Sequence, residues 1–182
     1  MIKILHTGDI HLGDLAGPTK DGANLRRQDT LRCMDAIVNK ARTEGPTVTI
    51  IAGDLFNRSR VWADTVVDVI SRFIVPLCEY SDAVVLLFGT INHDNPRAFE
   101  VIRKATPDLK NLHIYTEPRV ERLVTSEGPV QIMAVPGFDS SALVPIRRRR
   151  TGTPPPLSTT SSWGWLRSWT GASPPSSRPT TR

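Results

Sequence analysis

The sequence predicts an α/β fold built on a mostly parallel sheet. Short apolar runs such as VTIIA and AVVLLF alternate with longer segments whose apolar residues recur at helical spacing. The runs are continuously apolar, the pattern of strands buried on both faces between layers of helix. Each strand-like run stops at a glycine, namely Gly8, Gly53 and Gly89, where the chain can turn sharply off a sheet.

The elements follow in order. Ile2–Thr7 reads as the first strand, followed by a polar loop containing Gly13, Gly17, Pro18 and Gly22. Asn24 to Arg42 reads as a helix, with Leu25, Leu31, Met34, Ile37, Val38 and Ala41 approximating an i, i+3, i+4 stripe. Thr47–Ala52 is the second strand. Trp62 to about Glu79 is a second helix carrying Val66, Val69, Ile70 and Phe73, and Pro76 predicts a kink or an early stop. Ala83–Phe88 is the third strand, Pro96–Ala105 a short helix with proline at its start, and Asn111–Tyr115 the fourth strand. Arg119–Thr125 and Val130–Val135 form a hairpin around Glu127-Gly128-Pro129.

Composition sets further bounds. At 182 residues the chain is long enough for one domain with a core. Its apolar runs are too short to span a bilayer, and no secretory signal pattern opens it, so the expected location is cytoplasmic. Cys33 and Cys78 have no metal-type spacing and read as buried free thiols. The net charge of +5 is unevenly placed: residues 1–137 carry −1 and residues 138–182 carry +6. The basic character therefore belongs to the tail and says nothing about the body's partners. Residues 1–144 read as one α/β domain, and 145–182 as a basic, disordered tail. Residues 151–182 hold fourteen Ser and Thr, six Pro and no acidic residue, the composition of a GC-rich gene translated out of frame.

Three strand ends carry polar signatures: Gly8-Asp9-Ile10-His11, Gly53-Asp54-Leu55-Phe56-Asn57 and Gly89-Thr90-Ile91-Asn92-His93-Asp94. Ligands of layered α/β folds gather beyond the carboxyl ends of the strands. Carboxylate, imidazole and amide oxygens suit Mn²⁺, Fe²⁺ or Zn²⁺. One carboxylate can bridge two cations about 3.5–4 Å apart, which activates a water for attack on phosphorus. A nearby histidine can then assist the leaving oxygen.

LHTGDIHLG, IIAGDLFN and NHD resemble the calcineurin-like metallophosphoesterases, and LHTGDIHLG closely resembles the start of SbcD-type nucleases. The resemblance covers about residues 1–139, including VPGFD after the hairpin. It implies a four-layer α/β/β/α sandwich and two divalent ions, Mn²⁺ first, with Mg²⁺ or Fe²⁺ as alternatives. It implies exonuclease and endonuclease action on DNA ends in repair or recombination, an SbcC-type ATPase subunit as partner, and a possible homodimer. By resemblance, Asp9 and His11 bind one metal, Asp54 bridges both and Asn92 binds the second. His93 acts on the leaving oxygen and Asp94 orients it. The family usually writes Gly-Asn-His-Asp, whereas Thr90-Ile91 intervene here, and Asn57 stands where an aspartate is frequent. Three further histidine ligands are implied, yet the chain's histidines are His6, His11, His93 and His113. His113 reads as core or sheet face and His6 as a residue that packs or stands behind the ligands, so the chain holds about half a binuclear site and reads as the N-terminal part of a nuclease, truncated or frameshifted after about residue 140. Two other readings stay open: a calcineurin-like phosphoesterase of nucleotides or phosphoproteins, and a non-catalytic fragment whose basic arm binds nucleic acid.

Overall fold

The computed structural model describes residues 1–137. Its elements are β1 (Ile4–Thr7), β2 (Thr19–Lys20), β3 (Ala23–Asn24), α1 (Leu25–Glu44), β4 (Val48–Ala52), α2 (Ala63–Val69), a π-helical turn (Ile70–Ile74), α3 (Val75–Tyr80), β5 (Ala83–Leu87), α4 (Pro96–Ala105), β6 (Leu112–Tyr115), β7 (Arg119–Thr125) and β8 (Gly128–Ala134). β1, β4, β5 and β6 form one parallel sheet in that order. Because strand order follows chain order and parallel crossovers are right-handed, every helix falls on the same face.

Alternation along the strands divides the sheet accordingly. Leu5, Ile51, Val84, Leu86, Leu112 and Ile114 pack with Met34, Phe73, Leu77, Phe99 and Ile102 of the helices. Val48, Ala83, Val85 and Tyr115 face the other way and pack with Leu123 and Ala134 of the antiparallel β7–β8 hairpin. Helix, sheet and hairpin thus supply three of the layers expected of the sandwich among the described residues. The hairpin turn meets the N-terminus through Glu127 and Met1, yet Ile4 and His6 of β1 and the preceding Ile2 stay exposed. His6 is therefore not a packing residue.

Local chemistry explains the boundaries. Asn24 caps α1 by accepting the Arg27 amide hydrogen at 3.1 Å. Gly45, at φ 55°, closes the other end, two residues beyond the expected stop, with its N–H on the Ala41 carbonyl. Pro76 neither stops nor ends the second helix. The π-turn precedes it, so the widened backbone accommodates a ring that would otherwise clash with the preceding turn, and helix continues to Tyr80. The polar loop after β1 contains the small β2–β3 ladder, too short for any sequence period to reveal. Cys78 is buried, and burial pushes its thiol up to about 12, but Cys33 is exposed, contrary to the sequence expectation. No helix among the described residues is long and apolar enough to cross a membrane. The 145–182 tail expectation lies outside the described residues.

Candidate metal centre

The loops after β1 and β4 continue side by side once their strands end. Asp9 N–H donates to the Gly53 carbonyl at 3.2 Å, His11 N–H to Asp54 O at 3.0 Å and Leu12 N–H to Leu55 O at 3.0 Å; Asn57 N–H returns to Leu12 O at 3.0 Å. Leu12 and Phe56, both fully buried, anchor this seam in the core. Asp9, His11 and Asp54 all adopt left-handed backbone, with φ near 50°. For non-glycine residues that conformation costs about 1 kcal/mol or more each, and such strain gathers where geometry serves function.

The β5 loop is attached differently. Gly89 lies so close to Asp54 that a Cβ there would fall on the Asp54 amide nitrogen and carboxylate, and Gly53 and Gly137 crowd the same point. Thr90 donates to Asp54 Oδ1 twice, from its N–H at 2.7 Å and its hydroxyl at 3.1 Å. The Thr90-Ile91 departure from the family pattern therefore positions the carboxylate expected to bridge.

Asp94 is fully buried. Its carboxylate accepts the Phe56 N–H at 3.1 Å and the Gly89 N–H at 2.7 Å, joining the β4 and β5 loops. Burial raises its pKa, against the lowering by those two donors. Among the described residues no hydrogen bond joins Asp94 to His93, the pair that the resemblance implied; His93 Nδ1 meets the Asn57 carbonyl at 2.8 Å. A carbonyl only accepts, so Nδ1 carries the hydrogen and Nε2 is left for an ion or a substrate oxygen.

The result is a convergence. One ligand atom each from His11, Asp54 and His93 lies within 4.8 Å of the others, and all three residues are half-buried. Ligand atoms about 2.1 Å from one ion stand at most about 4.2 Å apart, so the set fits a divalent cation after small side-chain shifts. The two imidazoles meet edge to face at 4.4 Å between centroids. Asp9 is mostly exposed, with Oδ1 4.0 Å from His11 Nε2. Asn92 is exposed too, and its backbone carbonyl receives the Ser59 N–H. His113 is remote, 3.5 Å from Glu121 on the hairpin and stacked with Tyr115. The sequence analysis missed Thr90 and the Asn57 carbonyl. The two inserted residues were the only signal for the first, and a main-chain acceptor leaves none for the second.

A parallel sheet whose strand-end loops converge on imidazole and carboxylate donors is a layered α/β fold with a candidate metal centre. The chain belongs to the calcineurin-like phosphoesterase family, which it matches over residues 2–179. It is 32% identical over 97 residues to the DNA double-strand break repair protein Mre11 of Halobacterium salinarum, covering 53% of this chain and 23% of that protein. To the Mre11 protein of Aeropyrum pernix it is 28% identical over 155 residues, 82% of this chain and 35% of that protein. The chain thus spans roughly a quarter to a third of these relatives.

Proposed function

We propose that this chain is the N-terminal part of a DNA-end nuclease, hydrolysing phosphodiester bonds with two divalent ions, Mn²⁺ first among them. The observation that carries the reading is the approach of His11, Asp54 and His93 at three consecutive strand ends. The similarity to two archaeal Mre11 proteins supports DNA as the substrate. Asp9 and His11 would hold one ion, Asp54 would bridge and Asn92 would reach the second. When bound, the ions neutralise phosphate charge and acidify the attacking water. The chain's own residues do the rest. Thr90 fixes the Asp54 carboxylate, and the Asn57 carbonyl turns His93 Nε2 toward the site. His93, protonated at Nε2, passes a proton to the leaving oxygen as the water oxygen bonds to phosphorus. An SbcC-type ATPase partner, a homodimer and the division into a 1–144 domain and a 145–182 tail belong to the same proposal.

The test is an assay with Mn²⁺ that sets linear duplex DNA against cyclic nucleotides. Nucleotide release from DNA ends, abolished by EDTA, is expected. Hydrolysis of cyclic nucleotides with DNA left intact would replace this reading with that of a nucleotide phosphoesterase.

A further inference from the structure

The loop that carries Asp54 goes on to build a second feature. Beside the metal centre lies a cavity of about 290 Å³, lined by residues that include Leu12, Gly13, Asn57, Arg58, Arg60 and Trp62. It adjoins the centre directly, because Leu12 follows His11 and Asn57 holds His93. Its volume is at the small end for ligand sites, roughly 300–1,000 Å³, and suits a single nucleotide unit.

Its chemistry is mixed in a specific way. Trp62 is 55% exposed, with the Arg60 guanidinium 4.9 Å from its ring centroid. Among the described residues, no carboxylate lies within 4.0 Å of the cationic groups of Arg58, Arg60 or Arg97. Arg97 is the second residue of α4, whose cap Asn95 donates to the Ser59 carbonyl at 2.5 Å and so ties α4 to this loop. Residues 1–137 are close to neutral overall, so these unpaired arginines are a local feature. Asp14 is the one acidic residue in the lining.

Cations alone would select any phosphate, and an indole alone any flat apolar ring. Together, at the edge of a phosphoesterase centre, they select a nucleotide. A base inside a duplex is stacked on its neighbours, and it reaches a side chain in a deep subsite only when unpaired. We propose that Arg58, Arg60 and Trp62 form a subsite for one unpaired nucleotide adjoining the scissile phosphate. Trp62 stacks on the base, Arg60 covers the opposite face of the indole, and the guanidinium groups hold the neighbouring phosphate. This deepens the nuclease reading and rests on it. It gives the centre a preference for frayed or single-stranded ends.

The experiment measures binding of a labelled oligothymidylate by the full chain, by fluorescence anisotropy across a salt series with EDTA present. A strand of equal length made of abasic units is the second probe. Trp62→Ala is expected to weaken oligothymidylate roughly 5- to 100-fold, the range for loss of one stacked base, and to leave the abasic strand unchanged. Trp62→Phe should keep most of the affinity. Arg58→Ala and Arg60→Ala should each reduce the slope of log K against log salt by about 0.7 on both strands. Asp14→Asn should tighten both strands. The basic residues of 138–182 are common to all variants and cancel. If Trp62→Ala binds oligothymidylate within twofold of wild type, or weakens the abasic strand equally, the subsite is overturned and the nuclease reading stands. If wild type binds neither strand, both fall.

Discussion

The two halves of the candidate metal centre are built by different means. Asp9, His11 and Asp54 stand on loops joined by main-chain hydrogen bonds. Asn92 and His93 stand on a loop held by the main-chain bond from Ser59 N–H to the Asn92 carbonyl and, beyond it, by individual side chains: Asp54 on Thr90, Asp94 on Phe56 and Gly89, and Asn95 on Ser59. The first half therefore depends less on the hydrogen bonds of single side chains. The second loses its shape when one of a few residues changes.

The largest effect expected from breaking this arrangement is at the contact between the halves. Gly89→Ala places a Cβ on the Asp54 backbone, which neither loop can yield without leaving its strand. It should cost about 3 kcal/mol or more, read by urea unfolding. Asp94→Ala comes next. It strands the Phe56 and Gly89 amide hydrogens in the core, at about 1–3 kcal/mol each, and the same measurement reads it. His93→Ala should leave stability nearly unchanged and lower phosphodiester turnover by roughly a hundredfold or more in an active form of the enzyme, read as kcat. The smallest effect has the opposite sign. Asp9→Gly relieves left-handed strain at an exposed side chain and should raise stability by about 0.5 kcal/mol, glycine's greater freedom when unfolded offsetting part of the gain.

The same contrast explains what the sequence disclosed. β4 and β5 are buried on both faces, so VTIIA and AVVLL read as strands directly. The α4 span Pro96–Ala105 was legible because proline favours the first helical turn. The π-turn was not, because Pro76 announces a disturbance without saying how the backbone absorbs it. At the centre, Asp9, His11 and Asp54 were legible as residues placed just beyond strand-ending glycines. Asp94 was legible as a residue but not in its role, since its partners are main-chain amides 5 and 38 positions away. Exposure of His6 and Cys33 was illegible for a simpler reason: a residue's type does not say whether a neighbouring layer reaches it.

The central claim is that His11 and Asp54 hold a divalent ion beside His93. It is tested most directly by titrating Mn²⁺ into the full chain and following the free-ion electron paramagnetic resonance signal, with Asp54→Asn and His11→Ala measured alongside and their folds checked by circular dichroism. The account predicts that wild type removes the free signal and that each folded variant weakens this binding at least tenfold. Equal Mn²⁺ uptake by wild type and Asp54→Asn would contradict it.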